Sequence, residues 1–293
     1  MAGLNVSIAF FLATLALCEG VRKAAKALLP ADAYSVAREV AGAAQLGACC
    51  LEMRALAEVG PWAGGVGPDL LLTLLFLLFL AHGATFDGAA TNPTVTLQDW
   101  LLAEASLASA GLRVAAQALG LQVGCTLTRL FWACELSDLH VLQHLMAQHC
   151  SSALRTDPAH GTAVEAACAC LFHLTLLSLR RSPQVCKVPA IALLVTVMAY
   201  TAGPFTSAFF NPALAAWVTF GCAGHSWLEH AQVYWLGPLA GMVLAVLLHH
   251  GHLPRLFQRN LLYPKKSKFR VPRMKPAQGP SSRLDGGSGR GGC

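Results

Sequence analysis

Two short stretches decide the fold of this chain: "AATNPTVTL" at residues 89–97 and "FFNPALAA" at residues 209–216. Each contains a three-residue box that begins with Asn-Pro, and the two boxes are 119 residues apart. Asparagine is a preferred helix N-cap and proline suits the first helical position, so each box predicts the start of a helix. The boxes are Asn92-Pro93-Thr94 and Asn211-Pro212-Ala213, and the predicted helices cover residues 93–102 and 212–222. Helices this short do not cross a bilayer, which takes about 20 residues.

The composition is typical of a membrane protein. Of the 293 residues, 55% are hydrophobic and 12% are charged, whereas about a quarter of the residues are charged in an average soluble domain. The apolar residues cluster in runs that approach the length needed to span a bilayer. The clearest runs are residues 4–18, 69–84, 167–179, 188–200 and 233–248.

The neighbourhoods of the two boxes also repeat. A glutamate in a segment of small residues lies about fifty residues before each box, Glu39 in the first half and Glu165 in the second. After each box comes a segment with two glycines four residues apart, a spacing that lets membrane helices approach closely. The paired glycines are Gly120 with Gly124 and Gly237 with Gly241.

Two less apolar segments, residues 36–57 and 107–132, complete three predicted spans in each half. An odd number of spans gives the two halves opposite orientations in the membrane. The two short helices then enter from opposite sides and meet near the midplane with their N-termini facing each other. Irregular backbone at that depth must be buried in protein or line a water-filled path. The sequence therefore predicts an inverted repeat around a central site.

These residues resemble those of the aquaporins, or major intrinsic proteins, whose hallmark is a pair of Asn-Pro-Ala boxes on two half-helices. The glutamate in the first span of each half, Gln117 and the pattern at residues 234–238 are also similar to that family. The resemblance covers about residues 36–250, and the first box is similar to the subcellular superaquaporin branch. It implies an all-α membrane protein with a six-span inverted repeat, two half-helices and an extra N-terminal apolar segment.

The resemblance and the composition together predict five regions. Residues 252–293 hold ten Lys or Arg and one acid in a stretch rich in Gly, Ser and Pro, so we expect a disordered basic tail. The regions are an extra apolar segment and basic linker (1–35), the first repeat (36–134), a polar connecting loop (135–160), the second repeat (161–250) and the tail (251–293).

The distribution of Lys and Arg predicts the orientation. Of 21 such residues, 17 lie before or at the start of the first canonical span, between the fourth and fifth spans, or in the tail, and basic residues favour the cytosolic side. We therefore expect the tail in the cytosol and residues 135–160 on the opposite side. The apolar segment at residues 4–21 precedes its basic residues, and the sequence leaves open a seventh span, an interfacial helix or a cleaved signal.

The resemblance implies a role for the start of each half-helix. Asn92 and Asn211 are expected to cap the half-helices with the side-chain oxygen and to keep the amide NH2 for the pore. Two helix N-termini add positive partial charge, so protons and cations are repelled while neutral molecules pass. Glu39 and Glu165 are expected to accept backbone hydrogen bonds from the loops that carry the boxes. Further structural positions are Gln117, Gly120 and Gly241.

Two positions depart from the family pattern. Thr94 replaces an alanine, and the sequence does not decide whether its hydroxyl bonds a carbonyl one turn back. Leu214 replaces the arginine that conducting aquaporins carry three residues after the second asparagine. The constriction positions matched by spacing are Leu72, Ala199, Ala208 and Leu214, all of which are apolar. We expect these four positions to form the mouth of the pore, and we expect this mouth to be wider and more apolar than the filter of a channel that passes only water.

The expected function is a membrane channel for passive transport of water and of glycerol or other small neutral solutes. The alternative is a protein with the same fold and little conductance, with a structural or regulatory role in an intracellular membrane. The resemblance also implies a homotetramer in a lipid bilayer, and the endoplasmic reticulum is the expected location. No cofactor, metal or nucleic-acid partner is expected. Because no Ser-His or Asp-Asp pair stands out at mid-span depth, an enzyme is not predicted either.

Other polar side chains are interpreted as structural. His140 and His144 share a helical face, but the glutamate of a zinc-protease motif is missing, and a polar loop explains them better. Cys170 and His173 share a face of the segment that contains Glu165, which favours helix packing. Most of the eleven cysteines lie in or beside apolar segments as small hydrophobic residues, so no disulfide framework is predicted.

Overall fold

The computed structural model describes residues 2–63, 66–147 and 150–251, which form helices joined by short loops. The first half contains α1 (Ala2–Leu28), α2 (Ala31–Glu58), α3 (Gly60–Ala63), α4 (Pro68–Thr85), α5 (Pro93–Leu101) and α6 (Leu107–Trp132). The remainder contains α7 (Asp138–Ala147), α8 (Pro158–Ser178), α9 (Gln184–Thr206), α10 (Pro212–Thr219), α11 (Trp227–Ala231), a π-helical turn (Gln232–Leu236) and α12 (Gly237–His249). The described residues include no strand beyond one isolated bridge between Ser151 and Ala223. The prediction of an all-α fold is confirmed.

Each predicted span forms a helix. Within the described ranges, five helical segments are long and apolar enough to cross a membrane: Ala2–Leu28, Pro68–Thr85, Pro158–Ser178, Gln184–Thr206 and Trp227–His249. Helices α2 and α6 have 28 and 26 residues but are less apolar, in agreement with the weak hydropathy of the two segments that precede and follow the first box. The six canonical spans are therefore α2, α4, α6, α8, α9 and the continuous helix at residues 227–249.

The two halves pack in the same way, with α2 against α6 and α8 against α12 as the most extensive helix pairs. A glycine brings two backbones together at each crossing. A Cβ atom added to Gly124 would lie 2.2 Å from the Ala44 carbonyl oxygen, and one added to Gly241 would lie 2.1 Å from the Ala166 carbonyl oxygen. These crossings therefore require a residue without a side chain, as the four-residue glycine spacing predicts.

Helix α1 lies outside the six-span repeat and runs the full height of the helical body. At one end Gly3 packs against Leu139 of α7. At the other end Lys26 pairs with Asp87, in the loop after α4, at an N–O distance of 3.6 Å. The loop with Asp87 contacts the start of α2 through Arg38, and α7 contacts the other end of α2 through His140 and Glu52. Helix α1 therefore has the length and the apolar composition of a membrane span, and it contacts the neighbouring helices at both of its ends.

Polar side chains attach α1 to α2. Ser7 Oγ donates to Glu52 Oε1 at 2.5 Å, and Arg22 Nη2 donates to Gln45 Oε1 at 2.8 Å. All four side chains are buried. Because a buried polar group without a partner is costly, these pairs favour the observed register of α1 on α2.

The connection between the two repeats differs from the prediction in two respects. The expected polar loop at residues 135–160 contains α7, whose Leu139 and His140 are buried. In addition, Cys150 forms a disulfide with Cys222, with a Cα–Cα distance of 4.9 Å. Cys222 is one of the cysteines beside apolar segments that we interpreted as small hydrophobic residues; for this residue the interpretation is wrong, as is the prediction of no disulfide framework. The two cysteines are 72 residues apart, and no local pattern marks the pair.

Both half-helices begin at the predicted proline and end earlier than predicted. Helix α5 ends one residue before Leu102, because Ala103 adopts a left-handed conformation with φ of 58°. Helix α10 ends at Thr219, three residues early, because the segment after it is bonded to the connection between the repeats. The Ala223 backbone N–H donates to the Cys150 carbonyl at 3.0 Å, beside the disulfide. The predicted tail, residues 251–293, lies outside the described residues apart from its first residue.

Candidate functional site

The two boxes start their half-helices by the same local mechanism. Asn92 Oδ1 accepts from the Thr94 backbone N–H at 2.9 Å, and Asn211 Oδ1 accepts from the Leu214 backbone N–H at 3.2 Å. Each asparagine is followed by a proline in the first helical turn, where the missing N–H has no intrahelical partner to lose. Both asparagines are buried. The boxes are therefore N-caps inside the protein.

The amide groups of the two asparagines cross between the boxes. Asn92 Nδ2 donates to the Phe210 carbonyl at 3.1 Å, and Asn211 Nδ2 donates to the Thr91 carbonyl at 2.9 Å. Each acceptor immediately precedes the opposite asparagine in the chain. The two loops are thus joined by a reciprocal pair of hydrogen bonds, and the N-termini of α5 and α10 face each other.

The residues that supply these carbonyls have an unusual backbone conformation. Thr91 has φ of 53° and Phe210 has φ of 36°. The left-handed region is disfavoured for residues with a side chain, especially for a β-branched threonine. In this conformation each carbonyl accepts from the opposite amide. Such strain is characteristic of sites where the surrounding structure fixes the backbone.

A fully buried glutamate holds each box loop. Glu39 accepts from the two backbone N–H groups that precede Asn92, at 2.9 and 3.1 Å. Glu165 accepts from the two backbone N–H groups that precede Asn211, at 3.1 and 2.6 Å. Each carboxylate spans two adjacent donors, and both have 0% exposure. The inverted repeat therefore extends to the individual hydrogen bonds that shape the loops.

The third span of each half contributes a polar group to the same scaffold. Gln117 Nε2 donates to Glu39 Oε2 at 3.1 Å and to Thr96 Oγ1 of α5 at 2.9 Å. In the second half, the Tyr234 hydroxyl donates to the Thr206 carbonyl at 3.0 Å, near the start of the second box loop. The third span of each half therefore bonds the segment around its own box, through Gln117 of α6 in the first half and through Tyr234 of the π-helical turn in the second.

Comparisons with known proteins agree with this geometry. The sequence profile of the Major intrinsic protein family matches residues 70–249, more than half of the chain. The chain belongs to the major intrinsic protein family. Aquaporin-12 of Mus musculus is 66% identical over 280 residues, covering 95% of this chain and 97% of that protein. Aquaporin-11 of Homo sapiens is 30% identical over 234 residues, covering 80% of this chain and 84% of that protein. The predicted similarity to the superaquaporin branch is confirmed, and this chain is more similar to aquaporin-12 than to aquaporin-11.

A solved structure shows the same fold. The aquaglyceroporin from Plasmodium falciparum matches with a TM-score of 0.55, covering 76% of this chain and 99% of that chain. The two sequences are 15% identical, so this similarity concerns the fold alone. Family membership makes the chain a multi-pass membrane protein of a channel family, whose members as a class conduct small solutes across a lipid bilayer and are not enzymes.

Two of the four predicted constriction positions lie on neighbouring antiparallel spans. Gly83 near the end of α4 packs against Val188 near the start of α9. Leu72 and Ala199 are each eleven residues from that contact, toward the opposite face of the membrane. The two residues therefore lie at a similar height in the helical body, and both side chains are partly buried.

The other two constriction positions flank the second box. Ala208 lies in the loop before Asn211 and has a left-handed backbone with φ of 47°. Leu214 lies in the first turn of α10 and is 6% exposed, within an apolar cluster that also contains Leu121 and Trp132. Neither side chain carries a hydrogen-bond donor or a charge. The position that we matched by spacing to the arginine of conducting family members is thus a buried apolar side chain.

The sequence did not predict a buried polar cluster around Glu52. This carboxylate accepts from Ser7 and from Trp132 Nε1 at 2.6 Å, and it lies 3.0 Å from His140 Nε2. Ser137 Oγ lies 2.6 Å from the other ring nitrogen of His140. His140 therefore connects α7 to α2. In the part of the chain that the structure describes, no group of three or more His, Cys, Asp or Glu side chains could hold a metal ion.

The sequence also did not predict the surroundings of Thr94. Its hydroxyl lies 2.8 Å from Asn92 Oδ1 and 2.9 Å from His173 Nε2, so its partner is not a carbonyl one turn back. His173 Nδ1 lies 2.7 Å from Gln98 Oε1. The interpretation of His173 as a helix-packing residue is thus incomplete, because its ring is hydrogen-bonded to the first half-helix.

Proposed function

We propose that this chain is a channel for passive transport of water and glycerol. The crossed pair of Asn92 and Asn211 carries the proposal. A side-chain amide has two N–H groups, and each of these amides uses one of them on the opposite loop. The second N–H of each amide has no acceptor among the described residues, which leaves two donors for the oxygen of a passing solute.

The facing half-helices support the exclusion of cations. The N-terminus of a helix carries roughly half a positive elementary charge, and the N-termini of α5 and α10 meet at the crossed asparagines. A neutral solute passes such a point at a lower cost than a cation does.

The mouth supports glycerol as a second solute. An arginine would supply bulk, a fixed positive charge and several donors, and Leu214 supplies none of the donors or the charge. Ala199 and Ala208, the other small residues matched to the constriction, add no donor or charge either, so the proposed constriction is apolar apart from backbone carbonyls. Water that enters such a ring loses hydrogen bonds that the wall does not replace, whereas a solute with a carbon backbone loses fewer. We therefore expect modest water flux together with measurable glycerol flux.

The setting of the channel completes the proposal. The similarity to the superaquaporin branch supports an intracellular membrane, with the endoplasmic reticulum as the proposed location. The basic residues before α2 and between α8 and α9 support a cytosolic location for those segments. The connection with Cys150 then lies in the lumen, an environment in which a disulfide persists. A homotetramer is proposed from family membership.

A substitution at the mouth tests the proposed selectivity. The variant Leu214→Arg restores charge, donors and bulk, so the ratio of glycerol to water permeability is expected to fall in stopped-flow measurements on proteoliposomes. Leu136→Arg is the matched control, because Leu136 is 59% exposed and lies in the loop before α7. Size-exclusion chromatography establishes that both variants fold. A folded Leu214→Arg protein with the native ratio would show that Leu214 does not face the pore.

A second candidate function follows from the burial of Leu214. A leucine that is 6% exposed within an apolar cluster also fits a closed mouth, and the chain would then serve as a structural or regulatory component of the membrane. This candidate predicts water and glycerol permeabilities equal to those of protein-free vesicles. The two functions therefore differ in the absolute permeability, before any variant is compared.

A further inference from the structure

His173 on α8 bridges two positions of the first half-helix. Its Nε2 atom lies 2.9 Å from Thr94 Oγ1 and its Nδ1 atom lies 2.7 Å from Gln98 Oε1. Thr94 and Gln98 are four residues apart and thus share one face of α5. The ring of His173 has 0% exposure. One residue of the second repeat therefore holds the half-helix of the first repeat at two points.

Hydrogen-bond accounting fixes the direction of these contacts. Asn92 Oδ1 is an acceptor, so the Thr94 hydroxyl hydrogen is used on it at 2.8 Å. The same hydroxyl oxygen must then accept from His173 Nε2–H. A neutral ring with a hydrogen on Nε2 accepts at Nδ1, so the Gln98 amide is assigned with its nitrogen toward the ring. The neutral ring is favoured because a buried charge without a counter-ion is costly.

The two boxes differ at this point. Asn92 Oδ1 accepts from both the backbone N–H and the hydroxyl of Thr94, which together occupy its two lone pairs. Asn211 Oδ1 accepts only from the Leu214 backbone N–H, at 3.2 Å, because Ala213 has no hydroxyl. Asn92 is therefore held by one more hydrogen bond than Asn211. This additional bond comes from the Thr94 hydroxyl, which His173 in turn orients.

We propose that His173 is a positioning residue for the central site, which fixes the orientation of the Asn92 amide through the Thr94 hydroxyl. Thr94 and His173 then act as one unit. The threonine that replaces the alanine of an Asn-Pro-Ala box adds a hydroxyl, and His173 supplies the hydrogen-bond partner for that hydroxyl. The Asn92 Nδ2–H that faces the solute stays in place because Oδ1 of the same amide accepts two hydrogen bonds from Thr94. The effect on transport rests on the proposed channel function, whereas the coupling between the two side chains does not.

A thermal-stability cycle on the purified full-length chain tests the coupling. The variants are Thr94→Val, which keeps the shape and removes the hydroxyl, His173→Leu, and the double variant. Thr94→Val leaves the His173 Nε2–H buried without an acceptor, whereas in His173→Leu the Thr94 hydroxyl loses only the bond from His173 and still donates to Asn92 Oδ1. Both single losses include the same Thr94–His173 bond, so we expect the fall in melting temperature of the double variant to be clearly smaller than the sum of the two single falls. Thr196→Val is the control, because its hydroxyl bonds only the Ala192 carbonyl of its own helix. Additive losses would overturn the coupling.

A flux measurement tests the positioning. In proteoliposomes, the ratio of proton flux to water flux is expected to rise about three- to tenfold in Thr94→Val, the factor that corresponds to the loss of one hydrogen bond. Thr94→Ser keeps the hydroxyl and is expected to retain the native ratio. A native ratio in Thr94→Val, together with coupling in the stability cycle, would show that the pair is structural and would overturn the positioning role.

The two measurements separate this inference from the proposed function. If the native chain conducts neither water nor glycerol, the proposed function and the positioning role both fail. The stability cycle then tests only whether Thr94 and His173 are energetically coupled. If the native chain conducts and the cycle is additive, the proposed function stands and the pairing of Thr94 with His173 fails.

Discussion

The close crossing of α2 and α6 makes a strong prediction for Gly124→Ala. The new Cβ atom would lie 2.2 Å from the Ala44 carbonyl oxygen, whereas ordinary van der Waals contact begins at 3.4 Å. The helices must therefore separate by about 1 Å along a packed face, and overpacking of this kind costs about 1–3 kcal/mol. Because the obstacle is backbone, no side-chain rotation relieves it. We expect the melting temperature of the purified protein to fall by about 3 °C, the shift that corresponds to about 2 kcal/mol in a chain of 293 residues.

The same helix offers a matched control. Gly111 lies near the start of α6, and nothing lies within 4 Å of a Cβ atom added there. Gly111→Ala is therefore expected to keep or raise the melting temperature, since alanine is the better helix former by about 1 kcal/mol. Equal melting temperatures for the two variants, measured in the same detergent, would refute the claim that the α2 and α6 backbones are in contact.

The remaining predictions concern contacts that the fold adds to the repeat. Cys222→Ser removes the disulfide to Cys150; we expect slower migration than that of the native protein on a non-reducing gel and a loss of about 2–4 kcal/mol of stability. Glu52→Leu leaves three buried donors without a partner, at about 1–3 kcal/mol each, so the variant is expected to yield little monodisperse protein. Native yield and thermal stability for Glu52→Leu would contradict the structural role of that carboxylate.

Much of the fold was predictable because its signals are local. An Asn-Pro box is both an N-cap and a first-turn proline, and the apolar runs have the length of a span. The spacing of Glu39 and Glu165 before the boxes, and of the paired glycines after them, repeats within one chain. These patterns depend only on neighbouring residues or on the internal comparison of the two halves, so the sequence predicts the inverted repeat without any contact information.

The contacts that the sequence did not predict join residues that are far apart in the chain. His173 and Thr94 are separated by 79 positions, and Cys150 and Cys222 by 72. No periodicity or motif relates such pairs, because they meet only after the two repeats have packed. The extent of α1 was open for a similar reason. Its register depends on the pairing of Ser7 with Glu52 and of Arg22 with Gln45, which hydropathy does not report.

Osmotic swelling of proteoliposomes tests the central claim most directly. The full-length chain is purified, inserted into liposomes at a known protein density, and exposed in a stopped-flow instrument to osmotic gradients of sucrose and of glycerol. A channel formed by the crossed asparagines and an apolar mouth predicts water and glycerol permeabilities above those of protein-free liposomes of the same lipid. Permeabilities equal to those of the protein-free liposomes, at a verified insertion density and with the protein folded, would contradict the proposal that this chain conducts.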